Sequence, residues 1–169
     1  LKAKVYMFFA QPNPAQPYLP AGVLNIEQNP GNIRINGMLT GFSQGQHGFH
    51  VHESGDLGRG CLDALAHYNP FTKDHGAPGQ FFRSIRHVGD LGNLMADRNG
   101  NIVILNTFLR VGLFGANSIL GRGLVVHANR DDLGLGGDQG SRTTGNAGGR
   151  VACGVIGRVV SSHFMLIAN

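Results

Sequence analysis

The chain holds eight histidines, and five of them fall between positions 50 and 87: His50, His52, His67, His75 and His87. Asp90 follows the last of these by three residues, and His127 closes the apolar run GRGLVVH. A single histidine is more often a hydrogen-bonded structural residue than a ligand. Six of them with a carboxylate point instead to metal. Imidazole suits zinc and copper, and three histidines with one carboxylate suit tetrahedral zinc. The two cysteines, Cys61 and Cys153, stand too far apart for a Cys-X-X-Cys site. Seven candidate ligands are too many for one tetrahedral ion and match two.

Elements of defined geometry must bring these residues together. In GFHVHESGD, residues 48–56, a period of two places His50 and His52 side by side on one face of a strand, with Phe49 and Val51 on the other. His47 falls on that alternate face, which predicts a structural hydrogen-bonding role. Short runs rich in Val, Ile, Leu and Phe recur between Gly, Pro, Asn and Asp. They are AKVYMFF, GVLNIEQ, NIRINGML, QHGFHVHE, LGNLMAD, NIVILNTF, GRGLVVHA and VACGVIGRVV. NPGN at 29–32 and DRNGN at 97–101 read as hairpin turns. About eight strands result, so the expected fold is all-β, a sandwich or barrel. Two long segments, 54–86 and 128–149, break the rhythm, and loops of that length are usually functional. A disulfide and a metal site are the candidate anchors.

The 169 residues fit a single domain, 1–169, with no internal repeat or linker. No apolar stretch reaches the roughly 18 residues needed to span a bilayer, so no membrane role is expected. The 27 glycines and a charged fraction of only 14% fit a turn-rich β domain. The net charge of +4 comes from scattered Lys and Arg without a basic block, which argues against nucleic acid and leaves a small anion as a partner. Two buried thiols and a disulfide both remain open for the cysteines. A start at Leu1, without Met, reads as a mature or trimmed chain. That favours secretion, with a cytoplasmic location as the alternative.

GFHVHESGD, GC at 60–61, HYNP at 67–70, HG at 75–76, RHVGDLGN at 86–93, GRGLVVHANRDDLGLGG at 121–137 and TGNAGGRVACGVIG at 144–157 closely resemble the copper/zinc superoxide dismutases. The likeness covers most of residues 20–157. Along His50, His52, His67, His75, His87, Asp90 and His127 the steps are 2, 15, 8, 12, 3 and 37 residues. The resemblance implies an eight-stranded Greek-key barrel with two functional loops. It implies copper on His50, His52, His67 and His127, and zinc on His67, His75, His87 and Asp90. His67 would be shared between the ions. Asp131 would join a copper histidine to a zinc histidine, Cys61 and Cys153 would form a disulfide, and Arg150 would draw the anion to the copper. The implied reaction turns two superoxide anions into dioxygen and hydrogen peroxide through alternating reduction and oxidation of copper. His67 would supply a proton.

The family pattern also implies a homodimer and a copper chaperone for metal loading. Against the dimer stand Ser54, where many relatives carry an aromatic residue, and Arg158, where they carry an apolar one. GAPGQFFRSIR, 76–86 with two adjacent phenylalanines, is about three residues longer than in vertebrate cytosolic members. The 138–143 segment, DQGSRT, carries fewer acids than many members. The tail 158–169 is an extension, and His163 within it has no expected role. Two alternatives are a non-catalytic relative that binds a target dismutase and a zinc-stabilised structural domain without copper. Retention of all four copper positions and Arg150 speaks against the first.

Overall fold

The computed structural model describes residues 1–11, 18–79 and 85–160. The paired phenylalanines at 81–82, His163 and most of the tail extension lie outside the described residues. Eight principal strands form, each on one of the expected runs. They are β1 (Lys2–Phe9), β2 (Pro20–Asn29), β3 (Asn32–Leu39), β4 (Gly45–His52), β5 (Asp90–Ala96), β6 (Ile102–Leu109), β7 (Gly123–His127) and β8 (Arg150–Val155). The last run breaks at Ile156, and its end forms a two-residue strand, β9 (Gly157–Arg158), paired with β1. Three helical turns complete the elements among the described residues: α1 (Gly58–Cys61), a 3-10 turn (Leu62–Ala64) and α2 (Gln139–Thr144). Arg59 and Gly60 sit at positive φ inside α1, so it is a kinked turn rather than a regular helix. Among the described residues no helix is long and apolar enough to cross a membrane.

The hydrogen-bonded order is β5-β4-β7-β8-β1-β2-β3-β6, and every ladder is antiparallel. Sequence neighbours β4 and β5 pair, while β7 lies on the other side of β4. That crossover gives the Greek-key character. Asn29 pairs with Asn32 across the tight turn of β2 and β3, where Gly31 adopts φ +74°. At the second turn Asp97 N–H donates to Asn101 O at 2.9 Å.

Alternation sorts the faces. Val5 and Met7, Leu24 and Ile26, Ile33 and Ile35, and Ile102 and Ile104 are buried in one core with Phe49, Val51, Leu124 and Val126. Burying a side chain of this size contributes roughly 1.5–3 kcal/mol. Strand β4 departs from half-burial: every residue from His47 to His52 is buried. Phe49 and Val51 face the core, while His50 and His52 lie under the two long loops. Cys61 and Cys153 are disulfide-bonded across 92 residues. With Ala64 and Val125 they form a second buried cluster that fastens the first loop to β8.

Candidate metal centre

Strand β4 supplies His50 and His52, and β7 supplies His127 on the neighbouring strand. His67 reaches them from the first loop, held by an isolated bridge to His52. One donor atom from each of His50, His52, His67 and His127 lies within 4.8 Å of every other, and all four residues are buried.

The second nitrogens decide which atoms are free. His52 Nδ1–H donates to Leu65 O at 2.7 Å, and His127 Nδ1–H donates to Gly148 O at 3.0 Å. A carbonyl only accepts, so the proton of each neutral ring is on Nδ1 and Nε2 is bare. Those two bare Nε2 atoms face each other at 3.2 Å. Two lone pairs at that distance cannot hydrogen-bond, and only a cation or proton between them relieves the repulsion. Burial pushes His52 down to about 2 and His127 down to about 4, so neither ring supplies that proton near neutral pH. His50 donates Nε2–H to Asp131 Oδ2 at 2.7 Å, which leaves its buried Nδ1 without a partner. Burial pushes this ring down to about 3 despite Asp131. His67 Nε2 is likewise buried and unpartnered.

A second convergence shares His67. Nδ1 of His67, His75 and His87 stand 3.0, 3.0 and 3.1 Å from one oxygen, Oδ1 of Asp90. The His75 contact is off the direction of a hydrogen bond, so its Nδ1 counts as unpartnered although close. The His67 and His87 contacts have hydrogen-bond geometry, and the convergence of three ring nitrogens on one carboxylate oxygen also suits a shared cation. The set of four whose donor atoms all lie within 4.8 Å of one another is His50, His67, His75 and Asp90, with His87 just outside it. The other oxygen of Asp90 accepts from the N–H groups of Gly76 and His87, which fixes the carboxylate. Burial alone would raise the carboxyl of Asp90, but the three histidines hold it far below the usual range.

Asp131 stands between the two groups. Its Oδ2 takes His50 and its Oδ1 takes His75 Nε2–H at 2.8 Å. Asn93 brackets it, donating to Asp131 O at 2.9 Å and accepting from Asp131 N–H at 2.7 Å. Burial disfavours charge on His75, yet Asp131 and Asp90 on its two sides raise it to about 9.

A family model described as copper/zinc superoxide dismutase matches residues 20–156. The extracellular Cu-Zn superoxide dismutase of Haemonchus contortus is 48% identical over 159 residues, covering 93% of this chain and 84% of its own. Its counterpart from Caenorhabditis elegans is 43% identical over 159 residues, covering 94% and 70%. Cu-Zn superoxide dismutase 5 of Dictyostelium discoideum is 49% identical over 137 residues, covering 80% and 88%. The chain belongs to the copper/zinc superoxide dismutase family.

The donor set fits this family's two metals. Four nitrogens without hydrogens suit copper, and three nitrogens with a carboxylate oxygen suit zinc. A cleft of about 470 Å³ opens onto the first group, lined by His52, His67, His127 and Arg150 and rimmed by Thr143, Thr144 and Asn146. Arg150, at the start of β8, is half-buried, and its Nη atoms donate to the carbonyls of Cys61, Leu62 and Leu65. The disulfide-tethered loop therefore holds the arginine in place. Asp138 does not line the cleft. It caps α2, accepting from Ser141 N–H at 2.8 Å, and takes the amide of Asn146. His47 is buried, with Nδ1 against His127 O and Nε2 against Ser43 O, both at 2.8 Å, in keeping with a structural role.

The residue pattern alone left two supports undetected. Asn93 stood inside a recognised motif, but its bond to Asp131 spans 38 residues. Arg86 opens the same motif and is only 7% exposed, whereas an arginine in sequence ordinarily reads as a surface charge.

Proposed function

We propose that this chain is a superoxide dismutase that converts two superoxide anions to dioxygen and hydrogen peroxide. Copper would be held by His50, His52, His67 and His127, and zinc by His67, His75, His87 and Asp90. The observation that carries the reading is the opposed, proton-free pair His52 Nε2 and His127 Nε2, beside the shared ring of His67. When bound, copper supplies the one-electron exchange that zinc cannot. The chain's own groups do the rest. Asp131 holds the tautomers of His50 and His75, so both present Nδ1 to the metals. Arg150 offers a fork of donors to a small anion entering the cleft, where the neutral rim of Thr143, Thr144 and Asn146 adds no competing negative charge. His67 Nε2 is the atom from which a proton reaches the product. The excess of positive charge assists the approach of an anion; steering of this enzyme class is a standing example of the effect.

The chain acts as one domain and as a homodimer loaded by a copper chaperone, and it is secreted. The extracellular relatives support secretion. Ser54 is hydrogen-bonded within its own loop, and Arg158 is exposed on β9 next to β1. A charge on a dimer face would require a partner across it.

The deciding experiment pairs metal analysis of natively purified protein with a superoxide-consumption assay. One copper and one zinc per chain with rapid consumption is expected. Zinc without copper, and no activity after copper addition, would overturn the reading. Replacing His67 is expected to disrupt both sites, whereas replacing Arg150 leaves the metals bound and slows turnover.

A further inference from the structure

Strands β5 and β6 are the two ends of the hydrogen-bonded order, and no ladder joins them among the described residues. Asp90 opens β5 and Leu109 closes β6, so the seam ends beside the turn that carries His87 and Asp90. Arg86 fills that place. Its Nη1 donates to the carbonyls of His87, Val88 and Asp90 at 2.9, 3.0 and 3.0 Å, and its Nη2 donates to Leu109 O at 2.7 Å. No carboxylate lies within 4.0 Å of it among the described residues, and Nε is buried without a partner.

We propose that Arg86 is a positioning residue for the zinc-side ligands: its guanidinium ties the 87–90 turn to β6 across the open seam and so sets where His87 and Asp90 present their donor atoms. The inference rests on the metal reading given above. Packing alone does not account for this residue. A buried cation without an ion-pair partner is expensive, and an apolar side chain of the same volume would fill the space at lower cost. The guanidinium has what an apolar chain lacks: rigid, planar donors that reach several carbonyls at once. Three of its four acceptors lie within the segment 87–90 that ends in a ligand. The copper-side residues His50, His52 and His127 come from β4 and β7, away from the seam. Loss of Arg86 therefore acts on one site more than on the other. A lysine in its place keeps the charge but concentrates its donors at one atom, so it cannot span the seam.

The test uses full-length, metal-free protein as wild type, Arg86→Met and Arg86→Lys. Cobalt(II) uptake is followed by its visible spectrum, zinc affinity by competition with a chelator, and copper(II) affinity in parallel. Both variants are expected to bind cobalt and zinc about 10–100-fold more weakly, with altered visible bands, while copper affinity changes less than threefold. Lower thermal stability with wild-type cobalt spectra and zinc affinity would overturn the proposal and leave Arg86 a packing residue. Equal loss at both metals would also overturn it. If Arg86→Met does not fold, Arg86→Lys decides by the same readouts. A wild type that takes up no cobalt would overturn the metal reading itself, and the inference with it.

Discussion

Breaking the Cys61–Cys153 bridge separates the stability of the barrel from the placement of Arg150. The bridge closes a loop of 92 residues. In the chain-entropy treatment, a closure of that length stabilises the folded state by roughly 4–5 kcal/mol by restricting the unfolded chain. For a domain of this size each kcal/mol shifts Tm by roughly 2–4 °C, so reduction lowers it by roughly 8–20 °C. The measurement is calorimetry of the metal-free protein with and without a phosphine reductant, because bound metal would add its own stabilisation. A Cys61→Ala, Cys153→Ala double variant reports the same loss without reductant. Its added cost comes from the cavity left by two side chains that are 1% and 3% exposed. A second consequence follows from the carbonyls of Cys61, Leu62 and Leu65, which hold Arg150. Once the loop is untethered, metal-loaded enzyme should keep its metals and lose kcat/KM for superoxide several-fold. A Tm shift below about 3 °C would refute the entropic reasoning. An unchanged kcat/KM would refute the claim that the bridge places the arginine.

Asp131→Asn leaves one acceptor oxygen for the two ring N–H donors of His50 and His75 and sets an NH2 against the other, and it should weaken metal binding about 10–100-fold in chelator competition. Gly145→Ala should resemble it, because a Cβ there would collide with Asp131 Oδ1 and His75 Nε2 at a backbone φ of +66°; crystallography of the variant shows whether the carboxylate moves. Ile35→Ala, at a fully buried core position, should destabilise the metal-free protein by about 2–5 kcal/mol in urea unfolding. Backbone N–H groups of Asn101 and Ser141 hold the carboxyls of Asp97 and Asp138 below the ordinary range. Their contribution is present above the unfolded value near pH 4 and is lost as pH falls through the folded values, which a carboxyl NMR titration of each residue tracks.

Legibility in the sequence followed the range of each interaction. The strands could be read because alternation is local: Val5 and Met7, or Ile33 and Ile35, announce a buried face two residues at a time. The hairpins could be read for the same reason. The break that separates β8 from β9 could not, since VACGVIGRVV reads as one continuous run and Ile156 is turned by backbone bonds exchanged with Gly121 and Arg122. The proposed ligand positions were visible only as an ordered set, because no one histidine differs by type from His47. What separates them is the second nitrogen. His47 has both ring nitrogens against carbonyl oxygens, whereas His50 and His67 each keep one buried nitrogen without a hydrogen-bond partner.

Partner geometry of this kind is a property of the folded chain, and it explains why the supports were harder to see than the ligands. A ligand must be one of a few residue types, so composition betrays it. A support need only offer a donor or acceptor at the right place. Asn93 grips Asp131 through backbone atoms, and Gly145 contributes by lacking a Cβ. The two loops are therefore held by different means. The first, 54–86, is fastened covalently at Cys61. The second, 128–149, is fastened by Asp131 and by a network in which Asp132 accepts from Ser141 and Asn146. His75 Nε2 meets Asp131, and His75 N–H donates to Arg142 O at 2.8 Å, so the loops also lock onto each other at a proposed zinc ligand. Filling the metal sites would tighten that junction from within, which couples metal occupancy to loop order. The disulfide, which acts on the unfolded chain, should stabilise the protein by a similar amount whether or not metal is bound.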